Sequence, residues 1–253
     1  MMKGAEPIFI DNHARVGVLM LHGFTSTPHE FKELSPYLSE KGFNVSAPLI
    51  AGHGTYPSDL MVTTPADWTE STRQAYIKLK AVSKKVIIIG NSFGSNLGFW
   101  LIKEFNNEPV GIITLDAPIF IRNKFWAHVR LYTYGLFKTY YKKSRKMYQT
   151  DYIDMMDDVT YSTIPIKSIK DFLRFIKKET MPNLSHINVP ILITHATTDP
   201  IIHPKSAKYI YKYVKSANKE IYWFVSNNHA FSVDGHRIDV FHRILEFIYG
   251  VTS

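Results

Sequence analysis

Apolar and polar positions along the chain predict an ordered series of elements. Six short apolar runs end in turn-forming residues: Val16–Leu21, Phe43–Pro48, Val86–Ile89, Val110–Leu115, Ile191–Thr194 and Ile221–Val225. Unbroken apolar runs of this length suit parallel strands whose sheet is covered on both faces. Ile8–Ile10 is a shorter candidate. Between the runs lie segments with helical spacing: Glu30–Glu40, Pro65–Ala81, Phe93–Phe105, Lys205–Val214 and Arg237–Ile248. The second opens with Thr64-Pro65-Ala66-Asp67, a cap, a proline at the first helical position and an acid three residues after the cap. Strands alternating with helices predict an α/β fold, a mostly parallel central sheet with helices on both faces. The alternation stops between Ile119 and His186, where helical stretches run on with no clear strand. The expected organisation is a core of residues 1–118 and 187–253, with a helical cap (lid) inserted over 119–186.

Composition narrows the class. Apolar residues make up 45% of the 253 positions and charged residues 21%, which excludes disordered and low-complexity chains. No apolar run approaches the ~18 residues of a membrane span. The run Val16–Leu21 is also too short for a signal-peptide core of about 7–15 residues, so a cytoplasmic protein is expected. There is no cysteine, which removes disulfides, thiolate metal sites and cysteine nucleophiles. The formal charge of +8 is unevenly placed. No Asp or Glu occurs between Ala117 and Thr150, while Arg122, Lys124, Arg130, Lys138, Lys142, Lys143, Arg145 and Lys146 do. Aromatic residues such as Phe120, Phe125, Trp126, Tyr132, Tyr140 and Tyr148 are interleaved with them. This mixture suits a lid over a pocket or peripheral contact with an anionic membrane, and equally a solvated basic face on a helical cap. No RNA-type motif or zinc-finger spacing accompanies it, so no nucleic-acid partner is expected.

The candidate chemistry begins at Gly90-Asn91-Ser92-Phe93-Gly94, directly after the strand Val86–Ile89 and directly before a helix. A serine that must project above a sheet needs a sharp, strained turn, and glycines two residues to either side remove the side chains that would collide in it. With 18 serines and 13 glycines in the chain, about 0.05 such matches arise by chance. Ser92 is therefore the candidate nucleophile. Acyl transfer also needs two N–H donors aimed at the developing oxyanion. Phe93, just after the nucleophile, supplies one; Phe24, in the loop His22-Gly23-Phe24 after an early strand, is the candidate for the other. Gly23 lets that backbone approach closely, and His22 reads as a structural residue rather than a base.

A serine nucleophile requires a base and an orienting carboxylate, in the chain order Ser, acid, His for this architecture. Asp199 follows the strand Ile191–Thr194, and His229 follows the strand Ile221–Val225; open α/β sheets place their sites at such strand ends. His195, His203 and His236 are competing bases and Asp116, after Val110–Leu115, is the rival acid. With His229 as base, activity is expected to fall below about pH 6.5. The histidines have no recognisable metal-ligand spacing.

These residues resemble the α/β-hydrolase superfamily over essentially the whole chain, and within it the bacterial carboxylesterases related to monoacylglycerol lipases. The resemblance is carried by His22-Gly23-Phe24-Thr25, the Gly52-His53-Gly54 loop, Asp67-Trp68, the Ser92 elbow, Asp116-Ala117-Pro118, Thr198-Asp199 and His229. It implies a serine carboxylesterase acting on short- to medium-chain carboxylic esters or monoacylglycerols through an acyl-enzyme, with no cofactor and no metal. It also implies a small helical cap, where the basic aromatic stretch falls. Ser92, Asp199 and His229 occupy the triad positions and Phe24 and Phe93 the oxyanion hole, with Gly23, His22, Asn91 and Phe120 as expected substrate contacts. The elbow departs from the family in Asn91 and Phe93, where His or Leu-type residues are commoner, and the cap is unusually basic. A thioesterase, an aminopeptidase or a perhydrolase could use the same triad. A lipid-surface-binding module with a vestigial site is the alternative from another class.

Overall fold

A computed structural model of the chain describes residues 1–122, 138–143, 159–226, 229 and 237–253. Seven strands form one sheet: β1 (Ile8–Ile10), β2 (Val16–Leu21), β3 (Asn44–Ala47), β4 (Lys85–Asn91), β5 (Gly111–Leu115), β8 (Ile191–Ala196) and β9 (Lys219–Phe224). Their order is β1-β3-β2-β4-β5-β8-β9. Only β1 runs antiparallel, against β3; the other pairings are parallel. This is the expected α/β fold.

Alternation along β4 shows why such apolar runs are strands. Ile87 and Ile89 face one layer, with Val18, Met20, Ile113 and Leu192. Val86 and Ile88 face the other, with Leu19, Leu21 and Ile112. The first layer is closed by α1 (Leu34–Glu40) and α7 (Arg237–Thr252). The second is closed by α3 (Pro65–Ala81), α4 (Phe93–Glu104) and α6 (Lys205–Tyr213). Each buried Ile or Leu contributes about 1.5–3 kcal/mol relative to exposure, and β4 gains this on both of its faces.

The Thr64 cap of α3 forms as read. Asp67 Oδ2 accepts from the Thr64 N–H at 2.8 Å and from the Thr64 hydroxyl at 2.7 Å. The predicted helix Glu30–Glu40 splits into a 3-10 turn, Pro28–Phe31, and α1. Pro36 has no N–H to donate to the Lys32 carbonyl, so a continuous helix would lack that bond, whereas a first-turn proline costs α1 nothing. A short helix, α2 (Pro57–Val62), is additional; six residues are too few to display a period.

The expectation that residues 119–186 hold no strand needs correction. Tyr140–Lys142 (β6) pairs antiparallel with Thr163–Pro165 (β7), followed by α5 (Ile166–Phe175) and a π turn, Ile176–Thr180. Each strand has only three residues, below the length at which alternation is legible. Lys124, Phe125, Trp126, Arg130, Tyr132, Arg145, Lys146 and Tyr148 lie outside the described residues. Among the described residues no helix is long and apolar enough to cross a membrane.

Candidate active site

Ser92 stands between β4 and α4 with φ +47° and ψ −117°, a backbone region that L-residues seldom enter and that persists only when the surroundings enforce it. Here the surroundings are two glycines. A Cβ on Gly90 would lie 2.4 Å from the backbone N and Cα of Ser95, and one on Gly94 would lie 1.8 Å from the Leu21 carbonyl oxygen. The turn is tied down by the Ser92 N–H, which donates to the Leu115 carbonyl at 2.7 Å, and by the Ser95 hydroxyl, which donates to the Gly90 carbonyl at 2.6 Å.

Against this turn the loops after β8 and β9 bring the other two residues. His229 Nε2 lies 3.0 Å from Ser92 Oγ, and its Nδ1 lies 2.6 Å from Asp199 Oδ2. Asp199 is fully buried, and its Oδ1 accepts from the N–H groups of Ile201 at 2.6 Å and Ile202 at 2.8 Å. A carboxylate facing Nδ1 keeps the proton there and leaves the Nε2 lone pair toward the serine. Burial opposes a charge on His229, but the charge and hydrogen bond of Asp199 outweigh it, helped by Asp116 and Glu30. The imidazole is thus held above its ordinary value of 6.5. Burial likewise resists ionisation of Asp199, and His229 together with the two N–H donors overcomes it and holds the carboxyl below its usual range. Chain order alone therefore pointed to residues that the fold brings within hydrogen-bond reach.

The rivals occupy different positions. Asp116 ends β5 with φ +50° and is fully buried. Its Oδ1 accepts from the Ala196 N–H at 2.8 Å and lies 3.4 Å from His195 Nδ1. Burial above all depresses the His195 pKa to about 4, so that ring is neutral. His203 Nδ1 accepts from the Lys205 N–H at 3.1 Å, next to the start of α6. His236 lies outside the described residues. Ligand-type atoms of Asp116, Asp199 and His229 fall within 4.8 Å of one another. Both nitrogens of His229 and both oxygens of Asp199 are already engaged in hydrogen bonds, so the donor set is committed to holding a proton rather than open to a cation.

On the opposite side lies the loop after β2. His22 Nε2 accepts from the Ile50 N–H at 3.0 Å, which leaves Nδ1 as the donor to the Gly23 carbonyl at 2.9 Å. Burial, reinforced by His53, pushes its pKa down to about 3, so His22 is a neutral pin between two loops. Thr25 is held at φ +66°, a strained conformation for a β-branched residue. The half-buried Phe24 ring stacks on Phe172 of α5, with centroids 5.0 Å apart and planes at 11°. The buried Phe93 ring meets Phe24, Trp68, Phe172 and Phe175 edge-on at 5.3–5.7 Å. The unusual Phe93 thus fills an aromatic cluster joining the loop, the elbow and α5.

Two expected substrate contacts are placed elsewhere. Asn91 is 3% exposed and turns its amide inward, donating to Glu30 Oε2 at 2.9 Å. Phe120 packs edge-on against Tyr209 of α6 at 5.3 Å, and its N–H donates to the Ser206 hydroxyl at 2.9 Å. Gly23 does lie against the nucleophile, since a Cβ there would be 3.5 Å from Ser92 Cβ. Sequence reasoning missed Glu30 altogether. An acid within the apolar-flanked turn Pro28-His29-Glu30-Phe31 was the only signal, and it is a weak one.

Comparison with known proteins places the chain in a family. The chain is 29% identical over 249 residues to the thermostable monoacylglycerol lipase of Bacillus sp. (strain H-257), covering 98% of this chain and 95% of that protein. It is 27% identical over 233 residues to the carboxylesterase of Bacillus subtilis (strain 168), covering 91% of each. Among solved structures it shares the fold of a protein described with LipS and LipT, two metagenome-derived lipolytic enzymes. The TM-score is 0.87, at 24% identity and 99% coverage of both chains. Residues 12–235 match the family described as Hydrolase_4, serine aminopeptidase, S33, and the chain therefore belongs to that α/β-hydrolase family.

Proposed function

We propose that Ser92, His229 and Asp199 work as a catalytic triad that hydrolyses short- to medium-chain carboxylic esters or monoacylglycerols through an acyl-enzyme. The chain is a carboxylic ester hydrolase. The observation that carries the mechanistic reading is the continuous chain of contacts from Ser92 Oγ to His229 at 3.0 Å and from His229 to Asp199 at 2.6 Å.

In this reading Ser92 Oγ attacks the ester carbonyl while His229 Nε2 takes its proton. Asp199 keeps the imidazole in the required tautomer and stabilises the imidazolium that forms. The N–H groups of Phe24 and Phe93 receive the oxyanion, each supplying about 3 kcal/mol of barrier reduction. Phe93 is the first residue of α4, so its N–H has no partner within the helix and points where the helix dipole favours negative charge. His229 then protonates the departing alcohol, and a water activated by the same ring cleaves the acyl-enzyme. The half-buried Phe24 ring, backed by Phe93 and Phe172, suits an apolar acyl chain. The two Bacillus relatives, a monoacylglycerol lipase and a carboxylesterase, support esters over the amides that the family description suggests.

The test is Ser92→Ala, assayed on nitrophenyl esters of increasing chain length, monoacylglycerols, thioesters and proline amides. Turnover and labelling by a serine-reactive phosphonate are both expected to vanish in the variant. Labelling that persists there would dispose of Ser92 as nucleophile. Faster turnover of thioesters or amides than of esters by the parent would move the substrate class.

A further inference from the structure

We propose that Glu30 is a positioning residue of this site: one of its carboxyl oxygens holds the oxyanion loop and the nucleophile elbow in register through Gly23 and Asn91. The inference rests on the reading of Ser92 as nucleophile and adds a residue to it. Glu30 Oε2 accepts from the Gly23 N–H at 2.9 Å and from Asn91 Nδ2 at 2.9 Å. Gly23 is the residue before Phe24, and Asn91 is the residue before Ser92. The two bonds thus act one peptide away from an oxyanion donor and one away from the nucleophile.

The place of these bonds explains why a link is needed there. The ladder between β2 and β4 runs from Val16↔Lys85 to Leu21↔Gly90 and ends. Beyond that pair β2 and β4 are no longer bonded to each other, and the chains lead into the loop with strained Thr25 and the elbow with strained Ser92. Glu30 supplies the next rung from a third segment, the 3-10 turn Pro28–Phe31. A Cβ on Gly23 would lie 3.2 Å from Glu30 Oε1 and 3.5 Å from Ser92 Cβ. The carboxyl and the nucleophile therefore both crowd the space that a Gly23 side chain would occupy.

Packing alone does not account for an acid at this position. Glu30 is 5% exposed, and burying a carboxyl is costly unless its oxygens are hydrogen-bonded. An apolar residue of similar size would fill the volume, but it would leave the Gly23 N–H and the Asn91 amide without an acceptor. The pair also accounts for Asn91, the departure from the commoner elbow residue. Its side chain serves Glu30 rather than the substrate.

An oxyanion exists only after attack, so misplacing the donors slows the chemical step and leaves ground-state binding alone. The experiment compares Glu30→Ala, Asn91→Leu and Glu30→Gln with the parent on a nitrophenyl butyrate ester, reading kcat and KM separately. Thermal unfolding establishes that each variant is folded. Glu30→Ala is expected to lose roughly 10–100-fold in kcat, with KM changed less than about threefold. Asn91→Leu keeps the carboxyl and its bond to Gly23, and is expected to lose roughly tenfold. Glu30→Gln, whose amide oxygen can accept both bonds, is expected to recover most of the alanine loss, about tenfold or more. If Glu30→Ala does not fold, Asn91→Leu and Glu30→Gln still decide the matter. A kcat for Asn91→Leu within about twofold of the parent, a glutamine variant as slow as alanine, or a loss confined to KM would each overturn the proposal. Ser92→Ala in the same series separates the two ideas. Activity in that variant would sink the acyl-transfer reading, whereas an inactive Ser92→Ala beside fully active Glu30 and Asn91 variants would sink this inference alone.

Discussion

The tightest contact at the elbow makes Gly94→Ala the most severe test of the geometry. The alanine Cβ would sit 1.8 Å from the Leu21 carbonyl oxygen, 2.4 Å from the Leu21 carbonyl carbon and 3.0 Å from the His22 carbonyl oxygen. Ordinary contact begins at 3.4 Å, so the end of β2 and the start of α4 must separate by about 1.6 Å. All three obstructing atoms are backbone, and no rotamer change relieves them. Overpacking of this kind costs about 1–3 kcal/mol of stability. The catalytic cost is of similar size in energy but shows directly in the rate, because the displaced segments carry Phe24 and Ser92, and a misplacement of about 1 Å costs on the order of 100-fold. Gly98→Ala, one turn further along α4, is the control. Its Cβ would meet side-chain rather than backbone atoms, Ile112 Cδ1 at 2.9 Å and Ile88 Cγ2 at 3.1 Å, and movements of a few tenths of an ångström relieve both. Replacing a mid-helix glycine by alanine also returns about 1 kcal/mol of helix propensity, so the net change is small. The assay is kcat on a nitrophenyl butyrate ester together with urea unfolding of both variants. Gly94→Ala is expected to fall at least about 100-fold in kcat while Gly98→Ala stays within about twofold. A Gly94→Ala enzyme within about threefold of the parent would refute the idea that the sheet end and the elbow are held at catalytic spacing by that glycine.

Further expectations follow from the charges. Asp199→Asn leaves the shape intact but removes the carboxylate that fixes the His229 tautomer, and kcat should drop roughly 10³–10⁴-fold; a loss under about tenfold would point to Asp116 as the working acid. His229 must be neutral to accept the proton from Ser92, and Asp199 holds its pKa above 6.5. The kcat/KM profile should therefore reach half its plateau above pH 6.5, higher than the sequence alone suggested, and a half-maximum at or below 6.5 would contradict the geometry. Stability has the opposite sign. The charged imidazole is the form that pairs best with Asp199, so this contribution is full below pH 6.5 and fades as pH rises through the raised value. For Asp199, whose pKa is lowered from 3.8, the contribution is present above that value and is lost as pH falls through the depressed one. Urea midpoints measured between pH 6 and pH 10 should decline, less so in Asp199→Asn.

Much of this was legible in the chain because it depends on local chemistry. Parallel strands buried on both faces must be apolar throughout, so Val86–Ile89 and Ile191–Thr194 announce themselves. A serine in a left-handed turn needs Gly90 and Gly94, and that need is written at a fixed spacing. Asp199 and His229 followed from strand order. What stayed hidden depends on contacts between distant segments. The burial of Glu30 has meaning only beside Asn91, 61 residues away. The three-residue strands β6 and β7 are defined by their pairing alone. The approach of Asp116 to the triad comes from β5 and β8 being neighbours in the sheet. The partner of Phe120, an expected substrate contact, is Tyr209 of α6, 89 residues away.

Histidines illustrate how the fold assigns a role that residue type leaves open. His22, His53 and His195 are buried in or after β2, β3 and β8, on the chain segments where a base would be sought. In His22 and His53 burial acts without a paired carboxylate, and their pKa values sink to about 3 and about 4. His195 stands 3.4 Å from Asp116, yet burial still dominates, and the neighbouring His229 adds repulsion to a second positive charge. Among the described histidines, His229 alone has a carboxylate hydrogen-bonded to one nitrogen and a hydroxyl in reach of the other. A ring that must become charged during turnover needs that charge compensated at the moment it forms. The three depressed histidines would each resist becoming an imidazolium, because burial disfavours the charge. They are suited to remain neutral and hold loops, and His22 does so between Gly23 and Ile50. The distinction between base and scaffold therefore lies in the position of Asp199, and moving that carboxylate is the change that would reassign it.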